Sequence, residues 1–214
     1  MKIVYYSASG NTEKMANLIS LFRVILAFYL LLMLDCQSQN PTFYWVAVGL
    51  TLAVIILDAL DGWVARKFNE ASKIGSIIDI LGDRIVENAY WIVFAFYGWI
   101  GVWVPLIVMT RSFVCDTLRG LAFAEGCTAF GSDSMVQSKL GRFLTASRFS
   151  RAVYGGAKVF AFMAVIACHV PNWEPANWFV ILTDVCVWLA VIFCVLRGLP
   201  VVVAGKKYFV AKQD

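Results

Sequence analysis

Six stretches of this chain stay apolar for roughly the 20 residues that a helix needs to cross a bilayer: 16–34, 43–65, 76–97, 100–123, 152–170 and 177–196. Soluble domains carry about 45–50% apolar and about 25% charged residues; this one carries 61% and 15%. The runs therefore predict an all-α polytopic membrane protein of six transmembrane helices, with the third and fourth parted only by a few residues around Tyr97 to Gly101.

Basic residues set the orientation, because short cytoplasmic loops retain Lys and Arg. The loops DCQSQNPT, YGWIG and CHVPNWEPAN contain neither. Lys2, Lys14, Arg66, Lys67, Lys73, the cluster from Arg111 to Lys158, and Arg197, Lys206, Lys207 and Lys212 fall on or near the other side. Both termini are thus expected in the cytoplasm, in a multi-pass plasma (inner) membrane protein. The net charge of +4 suits an anionic lipid surface. Nucleic acid is not an expected partner, since no basic face interleaved with aromatics marks a soluble domain. Tyr44, Trp45, Trp99, Trp103, Trp173 and Trp178 collect at the outer ends as interfacial anchors.

Six cysteines show no CxxC spacing and read as small core residues, although Cys36 and Cys168 share the exported face, where a pairing is conceivable. The first apolar run has no cleavage site and is not expected to be a removable signal. Residues 1–15, MKIVYYSASGNTEKM, look like the start of a flavodoxin, a strand followed by a phosphate-cradling turn. Such a cradle needs a parallel sheet behind it. The chain instead runs into NLISLFRVILAFYLLLML, so 1–15 read as a cytoplasmic segment at the membrane interface, followed by a membrane domain over 16–197 and a basic cytoplasmic tail over 198–214.

Carboxylates interrupt the apolar pattern at Asp58, Asp61, Asp79 and Asp83. An acidic residue at the bilayer centre costs about 2.5–3.5 kcal/mol, so its presence suggests function. Residues three and four apart share a helix face. Asp58, Asp61 and Ala65 therefore form one stripe, Asp79 and Asp83 another, and the turn KFNEASKI lets the two helices run antiparallel with the stripes facing. Four converging carboxylates need cations. Their hard oxygens suit Mg²⁺, Mn²⁺ or Ca²⁺, and a metal with open positions is the usual partner of a pyrophosphate. Gly62 and Gly75 leave room for a bulky ligand at the backbone, although small residues also serve helix packing. For Asp83 the structural alternative is an ion pair with Arg84 or Arg111.

The pattern D-x2-D-G-x2-A-R-x8-G-x3-D-x3-D, complete here from Asp58 to Asp83, resembles the signature of the CDP-alcohol phosphotransferases, and NLISLFRV resembles that family's first-helix entrance. The resemblance covers roughly Asn17 to Arg197. It implies a membrane enzyme of phospholipid biosynthesis that transfers a phosphatidyl group from a CDP-linked lipid to an alcohol and releases CMP. It also implies an Mg²⁺ or Mn²⁺ cofactor and a homodimer. Carried onto this chain, it gives Asp58, Asp61 and Asp79 as metal ligands, with Asp83 bordering the metal, ligating it, or acting as the general base. Gly62, Ala65, Arg66 and Gly75, with Asp79, would form the cytidine diphosphate pocket.

The acceptor is expected to carry a phosphate, because Arg suits bidentate phosphate capture. Arg111, Arg119, Lys139, Arg142, Arg148 and Arg151 are its candidate ligands, with Asp116 able to pair with Arg119. The order R-x4-D-x-L-R followed by S-K-L-G-R-x2-T resembles the bacterial phosphatidylglycerophosphate synthases, which implies glycerol 3-phosphate. Arg142 stands where those enzymes usually have Lys. Inositol phosphate is the rival, with inositol and serine behind it, and positive-inside bias is the bland account of the same charges. An ion-binding transporter is the alternative of another class. It would show inverted repeats and acids spread through the membrane, which this sequence lacks.

Overall fold

The computed structural model describes residues 9–36, 39–67, 73–124, 135–136 and 138–209, all helical or connecting. Among these residues seven helices follow one another: α1 (Ser9–Cys36), α2 (Pro41–Lys67), α3 (Lys73–Phe96), α4 (Trp103–Ala124), α5 (Lys139–Ala146), α6 (Arg148–Cys168) and α7 (Asn177–Phe209). Six coincide with the apolar runs. The seventh, α5, is a short helix that an apolar-run reading passes over. The Ser138 hydroxyl caps its start by accepting from the Gly141 amide at 3.1 Å, and Arg142 Nε donates to the Val136 carbonyl at 3.4 Å.

Among the described residues, Asn177–Lys206 is long and apolar enough to cross a membrane, while Leu18–Leu34, Pro41–Leu57 and Ala152–Cys168 are shorter apolar segments. Apolar side chains are exposed as well as buried, and a few polar ones lie inside. Leu32, Phe96, Phe113, Ile181 and Val203 stand more than half exposed, whereas Ser20, Arg23, Thr51, Glu87, Ser112, Ser150 and Thr183 are buried. Exposed apolar surface on this scale needs a non-aqueous neighbour.

The chain divides into two compact units. The first holds α1, α2, α3 and the end of α6 from Phe162. On α1 the buried positions include Ser20, Arg23, Ala27, Leu30 and Leu34, with Leu31 beside them. Their alternating spacing of three and four keeps one stripe facing inward, and this seam lies against both α2 and α3. On α2 the stripe is Tyr44, Ala47, Thr51 and Val54; on α3 it includes Val86, Tyr90, Trp91 and Phe94. Phe162 stacks on Tyr90 at 4.7 Å and meets Trp91 edge-on at 4.7 Å.

The Thr51 and Tyr90 hydroxyls meet at 3.1 Å across α2 and α3. Sixteen residues of α2 follow Thr51 and seventeen of α3 precede Tyr90. Were the helices parallel, the end of α2 and the start of α3 would lie roughly 50 Å apart, beyond the roughly 20 Å that five connecting residues reach. They therefore form an antiparallel hairpin, as the acidic stripes require.

In the same unit, Trp99 stacks on His169 at 4.5 Å, and the Val165 carbonyl accepts from His169 Nδ1 at 2.8 Å. Cys115 and Cys186 are thiols, and the side chain of Cys36, on which the pairing with Cys168 depends, lies outside the described residues.

In the second unit α4 packs on α7, and so does α5. Two glycines on α7 make the approach to α4 close. A Cβ on Gly198 would lie 2.9 Å from Arg111 Cγ, and one on Gly205 would lie 2.7 Å from Leu118 Cδ1. Small residues at such seams let helix backbones approach. The structure also moves a boundary: α7 does not stop near residue 196 but continues through Pro200 to Phe209. Pro200 has no N–H to offer the preceding turn, yet the apolar residues that follow keep the helix packed, with Val201 buried beside Cys115, Leu118 and Val136.

Candidate functional site

The Thr51–Tyr90 contact fixes the register of the acidic hairpin. Asp58 lies seven residues beyond Thr51, and Asp83 seven before Tyr90. Asp61 is ten beyond and Asp79 eleven before; Arg66 and Gly75 are each fifteen away. At 1.5 Å per residue, the positions of Asp58 and Asp83 are level, about 10 Å along the hairpin from the hydroxyl pair. Those of Asp61, Gly62 and Asp79 follow about one turn further on. Asp58, Asp61, Gly62, Ala65 and Arg66 lie on α2, and Gly75 and Asp79 on α3; their side chains fall outside what the structure describes.

Asp83 is described in full. Its Oδ1 accepts from Arg23 Nη1 of α1 at 2.8 Å, with the Arg23 side chain 3% exposed and that of Asp83 46% exposed. The ion pair weighed as the structural alternative for Asp83 is therefore made, with a partner other than Arg84 or Arg111. Arg84 instead pairs with Glu87 one turn on, Nη1 to Oε2 at 3.2 Å, because Arg84 and Glu87 share a face three residues apart on α3. Arg111 belongs to the other unit. Gly82 makes room for the Arg23 guanidinium, since a Cβ there would stand 3.1 Å from Nη2. Arg23 lies within NLISLFRV, a segment whose resemblance assigns it no role. A single basic residue inside an apolar helix run was the signal available.

The acceptor candidates occupy the second unit. Arg119 pairs with Asp116 at 3.8 Å, as expected from their spacing. Arg111 lines a groove of about 430 Å³ between α4 and α7, together with Trp103, Leu106, Leu199 and Val202, and its Nε is buried without a hydrogen-bond partner among the described residues. The remaining candidates are Lys139 and Arg142 on α5, and Arg148 and Arg151 on α6. Arg142 is exposed, while the side chains of Lys139, Arg148 and Arg151 are outside the described set.

Arg197, which sequence reasoning had left among the general cytoplasmic charges, ties the α5–α6 corner together. Its guanidinium donates to Ser150 Oγ at 3.3 Å and to the Thr145 carbonyl at 3.4 Å, and lies over the Tyr154 ring at 5.4 Å. Lys158 Nζ lies 4.5 Å from the centroid of the same ring.

Among the described residues no three ligating side chains cluster. The register nevertheless fits an oxygen-ligated divalent cation. It brings four aspartate positions to two neighbouring levels of one hairpin, and all-carboxylate donors suit Mg²⁺ or Mn²⁺.

Among the described residues, a set of helices with much exposed apolar surface, a few buried polar groups and aspartate positions paired on one hairpin is consistent with the class of membrane proteins. A family model described as CDP-alcohol phosphatidyltransferase matches residues 13–196, and the chain belongs to that family. Among its relatives is the CDP-diacylglycerol--glycerol-3-phosphate 3-phosphatidyltransferase of Bacillus subtilis, 22% identical over 76% of this chain and 74% of that protein. The Mycoplasma genitalium protein of the same name is 24% identical over 53% of this chain and 54% of its own length. The chain thus spans about half of that relative. The CDP-diacylglycerol--inositol 3-phosphatidyltransferase of Schizosaccharomyces pombe is 38% identical over 34% of this chain and 28% of that protein.

Proposed function

We propose that this protein is an integral membrane enzyme of phospholipid synthesis that transfers the phosphatidyl group of CDP-diacylglycerol to a phosphorylated alcohol, glycerol 3-phosphate, and releases CMP. The observation that carries the reading is the hairpin register, which makes the positions of Asp58 and Asp83 level and sets those of Asp61 and Asp79 one turn away. The names of the Bacillus and Mycoplasma relatives supply the acceptor. The basic residues Arg111, Arg119, Lys139, Arg142, Arg148 and Arg151 are its phosphate ligands in this reading.

In the reaction the acceptor hydroxyl oxygen bonds to the phosphorus that carries diacylglycerol. The bond from that phosphorus to the bridging oxygen breaks, and CMP leaves with the electron pair. Asp83 takes the hydroxyl proton, a role that requires hydrogen-bond reach to the acceptor, and its half-exposed side chain supports it. Asp58, Asp61 and Asp79, with Asp83 at the border, would hold Mg²⁺ or Mn²⁺, whose charge offsets that of the diphosphate and of the leaving CMP. Gly62, Ala65, Arg66 and Gly75 shape the cytidine diphosphate pocket. The membrane topology of this reading is six spans with both termini and the site on the cytoplasmic side, in a homodimer. A site at the membrane boundary meets the donor from the bilayer and the acceptor from water.

The test is CMP release by purified protein in liposomes containing CDP-diacylglycerol and Mg²⁺, with glycerol 3-phosphate, inositol phosphate, inositol and serine offered separately. Release with glycerol 3-phosphate is expected, lost on chelation of the metal and in Asp83→Asn. The stretch shared with the inositol enzyme makes inositol the second reading, and release with it alone would discard the phosphate-binding role of the arginines. No release with any acceptor would overturn the proposed activity.

A further inference from the structure

We infer that Arg23 is a positioning residue for Asp83, an inference that rests on the proposed catalytic use of that carboxylate. Arg23 sits on the buried seam of α1, in line with Ala27, Leu30 and Leu34. A guanidinium enclosed among apolar side chains demands a counter-ion, and the structure supplies one from a different helix, Asp83 Oδ1 at 2.8 Å.

The two partners are not alike. Arg23 is 3% exposed and Asp83 is 46% exposed. An ion pair that only joined α1 to α3 would gain from enclosing both ends. Here the cation is enclosed and the carboxylate stands at the edge of open space, held by one oxygen and accessible beyond it. That is the arrangement of a carboxylate whose direction is set from behind.

The chain also makes room for the cation. The residue beside Asp83 is Gly82, and any side chain there would start 3.1 Å from Arg23 Nη2. Arg is suited to the task because its planar fork fixes the plane of the carboxylate it meets, which the ammonium of Lys does not.

A second consequence follows from charge. Asp83 is level with Asp58 on the hairpin and about one turn from Asp61 and Asp79. Arg23 therefore places one positive charge beside the group that is to hold a divalent cation, and opposes its binding through Coulomb repulsion. A residue that serves only to assemble the site would act in the opposite sense, since its loss would weaken metal binding and turnover together.

The experiment uses the full chain in detergent or liposomes and measures two quantities on Arg23→Gln and Arg23→Lys: Mn²⁺ affinity by electron paramagnetic resonance, and steady-state CMP release. In Arg23→Gln, Mn²⁺ binding is expected to tighten by about threefold or more as a cation leaves the neighbourhood. Turnover is expected to fall roughly ten- to hundredfold, the scale of a misdirected catalytic group, with the acceptor KM within about twofold. Arg23→Lys keeps the charge and loses the fork, so Mn²⁺ affinity should stay within about twofold of wild type while turnover still falls. It also decides the matter where Arg23→Gln does not yield a monodisperse protein.

Turnover within about threefold of wild type in the variants, or Mn²⁺ affinity falling together with turnover, would overturn the inference. Wild-type protein that releases no CMP would overturn the proposed function instead. The Mn²⁺ measurement then decides for Arg23 by itself, with tighter binding in Arg23→Gln supporting the placed charge and unchanged or weaker binding excluding it.

Discussion

Replacing Thr51 with Val should cost more stability than replacing its partner Tyr90 with Phe, although the two changes remove the same hydrogen bond. Thr51 Oγ1 donates its one proton to the Ala47 carbonyl at 2.8 Å. The contact with Tyr90 at 3.1 Å must then be donated by the tyrosine. Both side chains are within 1% of complete burial. In Tyr90→Phe the threonine keeps its own donor satisfied, so the loss is that of one ordinary hydrogen bond, about 0.5–1.5 kcal/mol. In Thr51→Val the tyrosine hydroxyl is stranded without an acceptor, which costs about 1–3 kcal/mol. With Phe already at 90 nothing is left to strand, and Thr51→Val should then be nearly neutral. A double-mutant cycle on unfolding in detergent micelles measures the coupling directly. Equal costs for the two single changes, or a cost for Thr51→Val that is the same in both backgrounds, would refute the assigned direction of the bond.

Two further perturbations probe the second unit. Gly120→Ala and Gly205→Ala make the same chemical change within helices, and each carries a propensity gain of about 0.8–1.0 kcal/mol. A Cβ at Gly120 meets nothing within 4 Å, whereas one at Gly205 meets Leu118 Cδ1 at 2.7 Å, and Leu118 is 3% exposed. Gly120→Ala should therefore raise the thermal midpoint, and Gly205→Ala should lower it, since overpacking costs about 1–3 kcal/mol; two rises of equal size would contradict the close α4–α7 contact. Arg197→Met removes the bonds to Ser150 and Thr145. At 3.3 and 3.4 Å they stand at the weak end of their class, worth about 1.5 kcal/mol together, so hydrogen exchange across 139–150 should quicken about tenfold. Unchanged exchange there would show that Arg197 does not hold the corner.

What was legible in the sequence was periodicity and spacing. Apolar runs located six helices, because a helix that faces lipid declares itself by length. The spacing from Asp58 to Asp83 located the family, because those intervals reflect helical levels and not the identity of any neighbour. The illegible parts depend on contacts between helices distant in the chain. The structural alternative for Asp83 names Arg84 or Arg111 as ion-pair partner, but the structure gives it Arg23, sixty residues earlier. The helix α5 was hidden because a helix of eight residues has no long apolar run. The apolar run of the last helix ends near 196, whereas close packing against α4 at Gly198 and Gly205 accompanies a helix that continues to Phe209.

The buried hydroxyl pair links stability to the proposed chemistry. A hairpin of two apolar helices has little to define its register, since sliding by one turn exchanges one aliphatic contact for another. A hydrogen bond between fully buried groups does define it, because slippage leaves polar atoms unpaired in an apolar interior. A slip of a single residue would move α3 by about 1.5 Å and turn it by about 100°. Asp83 would swing away from both Asp58 and the guanidinium of Arg23. A turn of slip would keep the faces but break the level by about 5.4 Å, more than carboxylates holding one small cation at about 2.0–2.6 Å tolerate. The Thr51–Tyr90 bond, about 10 Å from Asp83 along the helices, is therefore expected to influence metal affinity as well as stability, in the order Thr51→Val before Tyr90→Phe. A variant series in which stability falls in that order while Mn²⁺ affinity stays constant would separate the register of the hairpin from the assembly of the site.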